Sequence, residues 1–390
     1  MQRHVAILGA GPVGLDAALA CADAGRPFTV YEAGGAVAAH VRAWGHVRLF
    51  TPWDLNVSHR MRTHLPHAPA GPDCPTGTEL AARLLDPLAA LPALAGRIRL
   101  RSRVAAVART GMLKHEQIGT DARGAAPFTL LIDGPDGEET TRADLVLDCT
   151  GTYGVPNTLG AGGIPALGER ALAHRITRTL PSVDDPERWA GTVLLVGAGK
   201  SAQTAARDLA ALRGTRVEWV VRSPAPDWGA VPGDTLPGRR QLVESSRSLA
   251  DGVTHRHVTV HTGAHVQALR SDGDRVHAVL GTADGPRDVV CDHVVALTGY
   301  VGDACLHRQL QVHECYATAA PMNLSAALLG SAGGDCLARP AVGIDALRNP
   351  EPHFFVLGAK SYGRLNTFLL RTGYEQVDAV AGAYAPAVAG

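Results

Sequence analysis

The hydrophobic pattern of this chain occurs twice. Near its start, "HVAILGAGPVGLDAALACADAGRPFTVYE" reads as apolar strand, glycine turn, helix, turn and second apolar strand. The helical period rests on Leu15, Ala18, Leu19 and Ala22, one stripe facing a sheet. The same order returns at Thr192 with "TVLLVG", a turn, a helix and "RVEWVVRS". Each copy is followed by alternating strands with Asp-Gly hairpin turns, "FTLLIDGPDGEETTRADLVLD" and "RVHAVLGTADGPRDVVCDHVVAL". Both meanders run into an apolar strand with a Thr-Gly end, "ADLVLDCTG" and "CDHVVALTG". Near the C-terminus, "HFFVLGAKSYGRLNTFLLRTGYEQVDAVAGAY" predicts another buried strand, a glycine turn and one closing helix.

The two turns carry chemistry. In the first, Gly9, Gly11 and Gly14 form G-x-G-x-x-G, with Pro12 opening the helix. The first glycine permits a tight turn, the second lets a pyrophosphate approach the backbone, and the third lets helix pack on strand. The helix N-terminus supplies N–H groups and a positive dipole end. Glu32 lies at the tip of the second strand, where a carboxylate takes the hydroxyls of an adenosine ribose and repels a 2′-phosphate. The ligand expected here is NAD or FAD.

In the second turn, Gly197 and Gly199 are followed by Lys200, Ser201 and Ala202, alanine standing in the third glycine position. Its second strand ends in Arg222-Ser223 where the first ended in an acid. A guanidinium fork and a hydroxyl suit the 2′-phosphate of NADPH, and Lys200 adds charge near the phosphates. Two turns therefore predict two dinucleotides, FAD and NADPH, and hydride transfer between them. The expected fold is α/β, with two Rossmann-like dinucleotide-binding domains. The NADPH domain, residues 155–295, is inserted into an FAD domain made of 1–154 and 296–390. Gly151 and Gly299 mark the crossings, and the glycine- and proline-rich "GTYGVPNTLGAGGIPALG" is the linker.

Composition narrows the function classes. Lys+Arg and Asp+Glu are equal at 37 each, so no basic surface recruits nucleic acid. No apolar run reaches the ~20 residues that span a bilayer. The chain starts on a strand with no room for a signal peptide, which predicts a cytoplasmic protein that does not bind membranes. Seven cysteines are scattered without a C-x-x-C pair, against a disulfide framework, a zinc knuckle or a thioredoxin-like redox pair. Cys305 and Cys315 are the pair closest to one another in spacing. His255, His257 and His261 alternate along one strand, but with no cysteine or carboxylate close in sequence no metal is expected. Arg239-Arg240 follows Arg222 closely enough to assist a phosphate or simply to be solvated. The Gly- and Ala-rich stretch 321–345 suits a substrate-facing segment or a subunit contact, which leaves a homodimer open.

With these residues in place, the chain resembles the two-dinucleotide-binding-domain flavoproteins, which include thioredoxin reductases and class B flavin monooxygenases. The resemblance rests on both glycine turns, on Glu32 and Arg222, on the Thr-Gly strand ends and on Gly358. It implies an FAD- and NADPH-dependent oxidoreductase. Lacking a redox cysteine pair, the chain is more similar to the monooxygenase branch, at "VRLFTPWDLNVSHRMRTHLPHAPAGPDCPTGTEL". There the resemblance makes Asn56 the residue beside the flavin that holds an oxygen adduct. It departs from the family at Gly34-Gly35-Ala36-Val37, which lacks a tryptophan, and at "ALGERALAH", where only Gly168 and a displaced His174 remain. Gly358 is also followed by Ala359-Lys360 instead of an acid. The expected function is oxygenation of a small-molecule substrate by NADPH and molecular oxygen. The alternatives are a reductase or dehydrogenase without oxygen insertion, or a sensor or electron-transfer flavoprotein holding both nucleotides.

Overall fold

The computed structural model describes residues 3–252, 255–330 and 343–385. The chain divides into two compact units, one of residues 1–155 with 301–390 and the other of residues 156–300.

The first unit is built on a five-stranded parallel sheet. Its order is Phe354–Val356, Leu145–Asp148, Val5–Leu8, Phe28–Tyr31, Ile98–Arg99. Strand Val5–Leu8 is buried on both faces, as a parallel strand under two layers must be. Val5 and Ile7 pack with Leu15, Ala18 and Leu19 of the helix Pro12–Asp23, and with Tyr374, Val377 and Val380 of the helix Leu370–Ala383. Ala6 and Leu8 turn the other way, onto Val107, Phe128, Leu130 and Ile132 of the antiparallel meander Arg103–Arg109, Phe128–Gly134, Gly137–Ala143.

The second unit repeats the plan. Its parallel sheet runs Val258–Thr262, Thr215–Val221, Gly191–Val196, His293–Ala296, Ile176–Thr177. One face carries the meander His265–Asp272, Arg275–Thr282, Gly285–Cys291, and the other the helices Lys200–Ala210 and Pro237–Ala250. The α/β class with two Rossmann-like domains, one inserted in the other, is what the paired sequence patterns predict. Gly168, noted for a family fingerprint, packs on backbone: a Cβ there would lie 2.1 Å from Leu269 O.

Two elements differ from the reading of the sequence. After Gly358 the chain makes only a short helix, Ala359–Tyr362, and starts the long helix afresh at Leu370. The helix Pro12–Asp23 shows no single stripe, since every residue from Val13 to Cys21 is buried. The helix Leu370–Ala383 covers the face that would otherwise be wet. That places Asp16 in the interior, where it accepts from Ser58 Oγ (2.5 Å) and Arg60 (2.8 Å).

Arg60 also bridges to Asp378 and Asp23. Burial outweighs the Arg60 guanidinium and lifts the Asp16 carboxyl from 3.8 to about 6. Between those values the folded protein holds a proton that the unfolded chain has lost. Stability therefore declines as pH rises from about 4 to 6, by about 3 kcal/mol from this group. Urea unfolding across that interval should show the decline in the parent, and Asp16→Asn should flatten it. A parent profile level through the interval would contradict the assignment.

Candidate functional site

All five strands of the first sheet are parallel, so their carboxyl ends meet at one edge. Val5–Leu8 stands between Phe28–Tyr31 and Leu145–Asp148, the point where strand order reverses and where such sheets bind ligands. Gly9, Glu32, Gly151 and Gly358 all follow strands that end there.

The glycine turn is shaped by contact. A Cβ on Gly14 would lie 2.0 Å from Gly9 O, and one on Gly9 2.8 Å from Cys149 O. A Cβ on Gly11 would meet nothing within 4 Å, so this glycine keeps open the space above the turn. Gly11 is the N-cap of the helix Pro12–Asp23, with Pro12 in its first turn, and no side chain caps it. Helix N–H dipoles and a cradle that a Cβ would fill together fit a pyrophosphate. Gly358 donates its N–H to Gln376 Oε1 at 2.8 Å and packs beside Val13.

Glu32 is buried and holds the turn. Its carboxylate accepts from Ala10 N–H (2.8 Å) and Gly34 N–H (2.7 Å). Each oxygen keeps a lone pair for a ribose hydroxyl. Arg101, which the sequence reading missed, lies beside it. Its N–H donates to Gly34 O at 2.9 Å, and its guanidinium nitrogens lie 3.6–3.7 Å from where a Gly35 Cβ would be. No motif marks it, because residues 33–97, inserted between the strands Phe28–Tyr31 and Ile98–Arg99, separate it from Glu32.

The second edge is built alike and charged differently. Gly197 abuts Leu297 O, where a Cβ would come within 2.3 Å, and Gly199 faces open space. Ala202 is fully buried against the turn, and Ser201 is exposed in the helix's first turn. Arg222 and Ser223 are exposed directly after Thr215–Val221, and Arg222 has no hydrogen bond or ion pair among the described residues. Gly299 sits by Asn157, whose amide donates to Thr298 O at 3.1 Å.

Lys200 behaves otherwise than the sequence suggests. Its ammonium donates to Trp228 O (2.8 Å) and Gly229 O (3.2 Å), tying the loop after Arg222 to the turn. Burial lowers its pKa. Arg239 forks onto Asp234 at 2.6 and 2.7 Å, while Arg240 is exposed.

Asn56 has a structural task. It closes the helix Trp53–Asn56, is 1% exposed, and spends its amide on Thr51: Oδ1 accepts from Thr51 Oγ1 and Nδ2 donates to Thr51 O, both at 2.8 Å. Tyr374 OH donates to its carbonyl at 2.8 Å. Enclosed in this way, the side chain presents almost no surface to a bound group. The same insertion carries a cleft of about 400 Å³ lined by Arg48, Trp53, Asp73, Cys74, Glu79 and Arg83.

Of the three histidines, His261 alone lies in the strand Val258–Thr262, and it and His257 have hydrogen-bond partners. His261 pairs with Glu218 at 2.7 Å and His257 with Ala210 O at 2.8 Å. Among the described residues no cluster of three metal-ligating side chains occurs, and no helix is long and apolar enough to cross a membrane. Cys305 is exposed, Cys315 is buried, and both are free thiols. Of the stretch 321–345, residues 331–342 lie outside the described residues.

Comparison with known proteins agrees with this architecture. The bacillithiol disulfide reductase of Bacillus cereus is 18% identical, with 98% of each chain covered and a TM-score of 0.72. The ornithine N-hydroxylase of Kutzneria sp. 744 is 15% identical over 98% of this chain and 99% of its own, with a TM-score of 0.64. A flavin monooxygenase from Stenotrophomonas maltophilia is 18% identical over 98% and 99%, with a TM-score of 0.59. At such identities the likeness is one of fold. A search of the curated proteins finds no match. The family described as pyridine nucleotide-disulphide oxidoreductase matches residues 3–319, and the chain belongs to it.

Proposed function

We propose that this protein is an FAD enzyme that oxidises NADPH and reduces a small organic acceptor. Family membership makes it a flavin-dependent oxidoreductase using FAD and a pyridine nucleotide. The observation that carries the finer reading is the contrast between the two strand tips. Glu32 is a fixed acceptor at the first, whereas Arg222 is an unpaired donor fork at the second.

In this reading FAD, when bound, would supply two-electron redox chemistry between a nicotinamide and the acceptor. The chain's own residues do the rest. Gly9, Gly11 and Gly14 bring backbone to the FAD pyrophosphate, while Glu32 accepts from the ribose and repels a second phosphate. Gly151, Gly299 and Gly358 keep the strand ends free of side chains. Gly197, Gly199 and Ala202 shape the second turn, and Arg222 with Ser223 reads the 2′-phosphate.

The enclosure of Asn56 favours acceptor reduction over oxygen insertion, because its amide is already paired with Thr51. The oxygenase reading retains the absence of a C-x-x-C pair in its favour. Oxygen uptake coupled to product oxygenation would restore it.

The purified protein should be yellow, with one FAD per chain, and should prefer NADPH to NADH. A charge-assisted pair to phosphate is worth about 1.5–3 kcal/mol, so Arg222→Ala should cost roughly one to two decades of that preference. Steady-state kinetics with both nucleotides reads it directly. An unchanged ratio would remove Arg222 from the site, and a protein that takes up no flavin would remove the reading altogether.

A further inference from the structure

Four ionisable residues that the function above does not use form a line leading from the edge of the first sheet to the surface. Asp148 ends the strand Leu145–Asp148 and is fully buried. One oxygen accepts from Thr150 Oγ1 at 2.6 Å, and the other accepts from Lys360 Nζ at 2.5 Å. Lys360, two residues after Gly358, is buried with its stem along Gly302, where a Cβ would come within 2.4 Å of Lys360 Cγ. On the far side, His307 Nδ1 lies 4.0 Å from the same Asp148 oxygen. That ring nitrogen is buried and has no hydrogen-bond partner among the described residues. The ring packs on Phe354, and its Nε2 pairs with Glu314 at 2.7 Å, whose side chain is 39% exposed.

A buried ion pair is a poor way to gain stability, since apolar residues of like volume commonly do as well. A purely structural Lys360–Asp148 pair would also need no arm to solvent. The pair lies against the first glycine turn, because the Cys149–Thr150 backbone touches Gly9. An orphan imidazole nitrogen one water's reach from a carboxylate is the break expected in a proton wire at rest.

We propose that Glu314, His307 and Asp148 conduct protons from solvent to Lys360, which donates them at the edge of the first sheet. This rests on the reductase reading. Reduction of an acceptor X follows X + NADPH + H⁺ → XH₂ + NADP⁺, so each turnover consumes one proton. As X–H forms, an Nζ–H bond of Lys360 breaks and its electron pair stays on nitrogen. His307 Nδ1–H passes its proton to Asp148 Oδ2, which hands one on to Nζ and so is a carboxylate again. In the same step His307 Nε2 takes a proton that Glu314 has drawn from water, and a turn of the ring then brings that N–H round to Asp148. Burial opposes charge on Asp148, but the Lys360 ammonium and the Thr150 bond win and hold its carboxyl below the ordinary value. The His307 bond, with Lys360 and Lys114 nearby, does the same for Glu314. Both carboxylates are thus conductors that stay unprotonated between transfers.

The test uses 2,6-dichlorophenolindophenol as a two-electron acceptor with the holoenzyme. His307→Phe keeps the ring packing on Phe354 and removes both nitrogens. His307→Gln restores a polar group that cannot relay. For both, kcat should fall by about 10² with little change in KM for the dye, and proton uptake read by a pH indicator should lag flavin reduction. Wild-type turnover with an unaltered pH profile in either variant would overturn the relay. A second arm needs no flavin: in the cofactor-free protein, Lys360→Met should displace the His307 ring ¹⁵Nδ1 resonance. An unmoved resonance would show that the ring is not coupled to the pair, which also overturns the proposal. A protein that shows the coupling but holds no FAD would sink the reductase reading and leave the wire.

Discussion

Glu351→Ala should lower the stability of this protein by about 3–5 kcal/mol, and with it the thermal midpoint by several degrees. Glu351 is 1% exposed and stands between two arginines equally buried. Its Oε1 accepts from Arg109 Nε at 2.6 Å, and its Oε2 from Arg123 at 2.7 Å and from Gln311 N–H at 2.8 Å. Arg109 also donates to the carbonyls of Ala126 and Pro352 and lies 3.7 Å over the Phe128 ring. Arg123 donates to Leu113 O and Glu116 O, fastening residues 110–126 to the meander. Removing the carboxylate leaves two guanidinium groups buried without a counter-charge. Replacing all three together, Arg109→Met, Arg123→Leu and Glu351→Leu, should recover most of the loss. Chemical denaturation of the single and triple variants decides it, and a single variant as stable as the parent would show that the arginines are satisfied by carbonyls alone.

Gly14→Ala and Gly11→Ala should both empty the first nucleotide site, for different reasons. At Gly14 the new methyl would enter Gly9 O, which lies 2.0 Å from its position. The helix must move off the strand, at a cost of about 1–3 kcal/mol of stability. At Gly11 the methyl touches nothing in the protein. That variant should unfold like the parent yet lose flavin, because the methyl occupies the space through which a pyrophosphate approaches. Melting curves and bound flavin after gel filtration separate the two effects. A Gly11→Ala protein that keeps its flavin would take the pyrophosphate away from this turn.

These two cases mark what could be read from the chain in advance. The glycine turns, the strand tips at Glu32 and Arg222 and the Thr-Gly ends are short-range features. Their spacing is set by one strand, one turn and one helix, so they are legible residue by residue. The meanders were equally plain, since period-two alternation and Asp-Gly turns are local. The apolar period predicts the helix Pro12–Asp23, which the structure has, and a one-sided stripe, which it lacks. The helix that covers its outer face comes some 350 residues later, and no local period carries that information.

The charges inside the protein were decided by the tertiary structure alone. Asp16 meets Arg60 across 44 residues, Arg109 meets Glu351 across 242, and Asp148 meets Lys360 across 212. A charged residue in sequence reads as solvated surface, and only a partner brought from afar makes its burial affordable. Lys200 and Asn56 follow the same rule. Each has the right chemistry at the right spacing, but the fold had already spent one on Trp228 O and the other on Thr51. Local spacing thus determined where two glycine turns stand at strand ends. Which charges remain free beside them was settled by long-range packing, because a polar group buried by the fold must first satisfy its own hydrogen bonds.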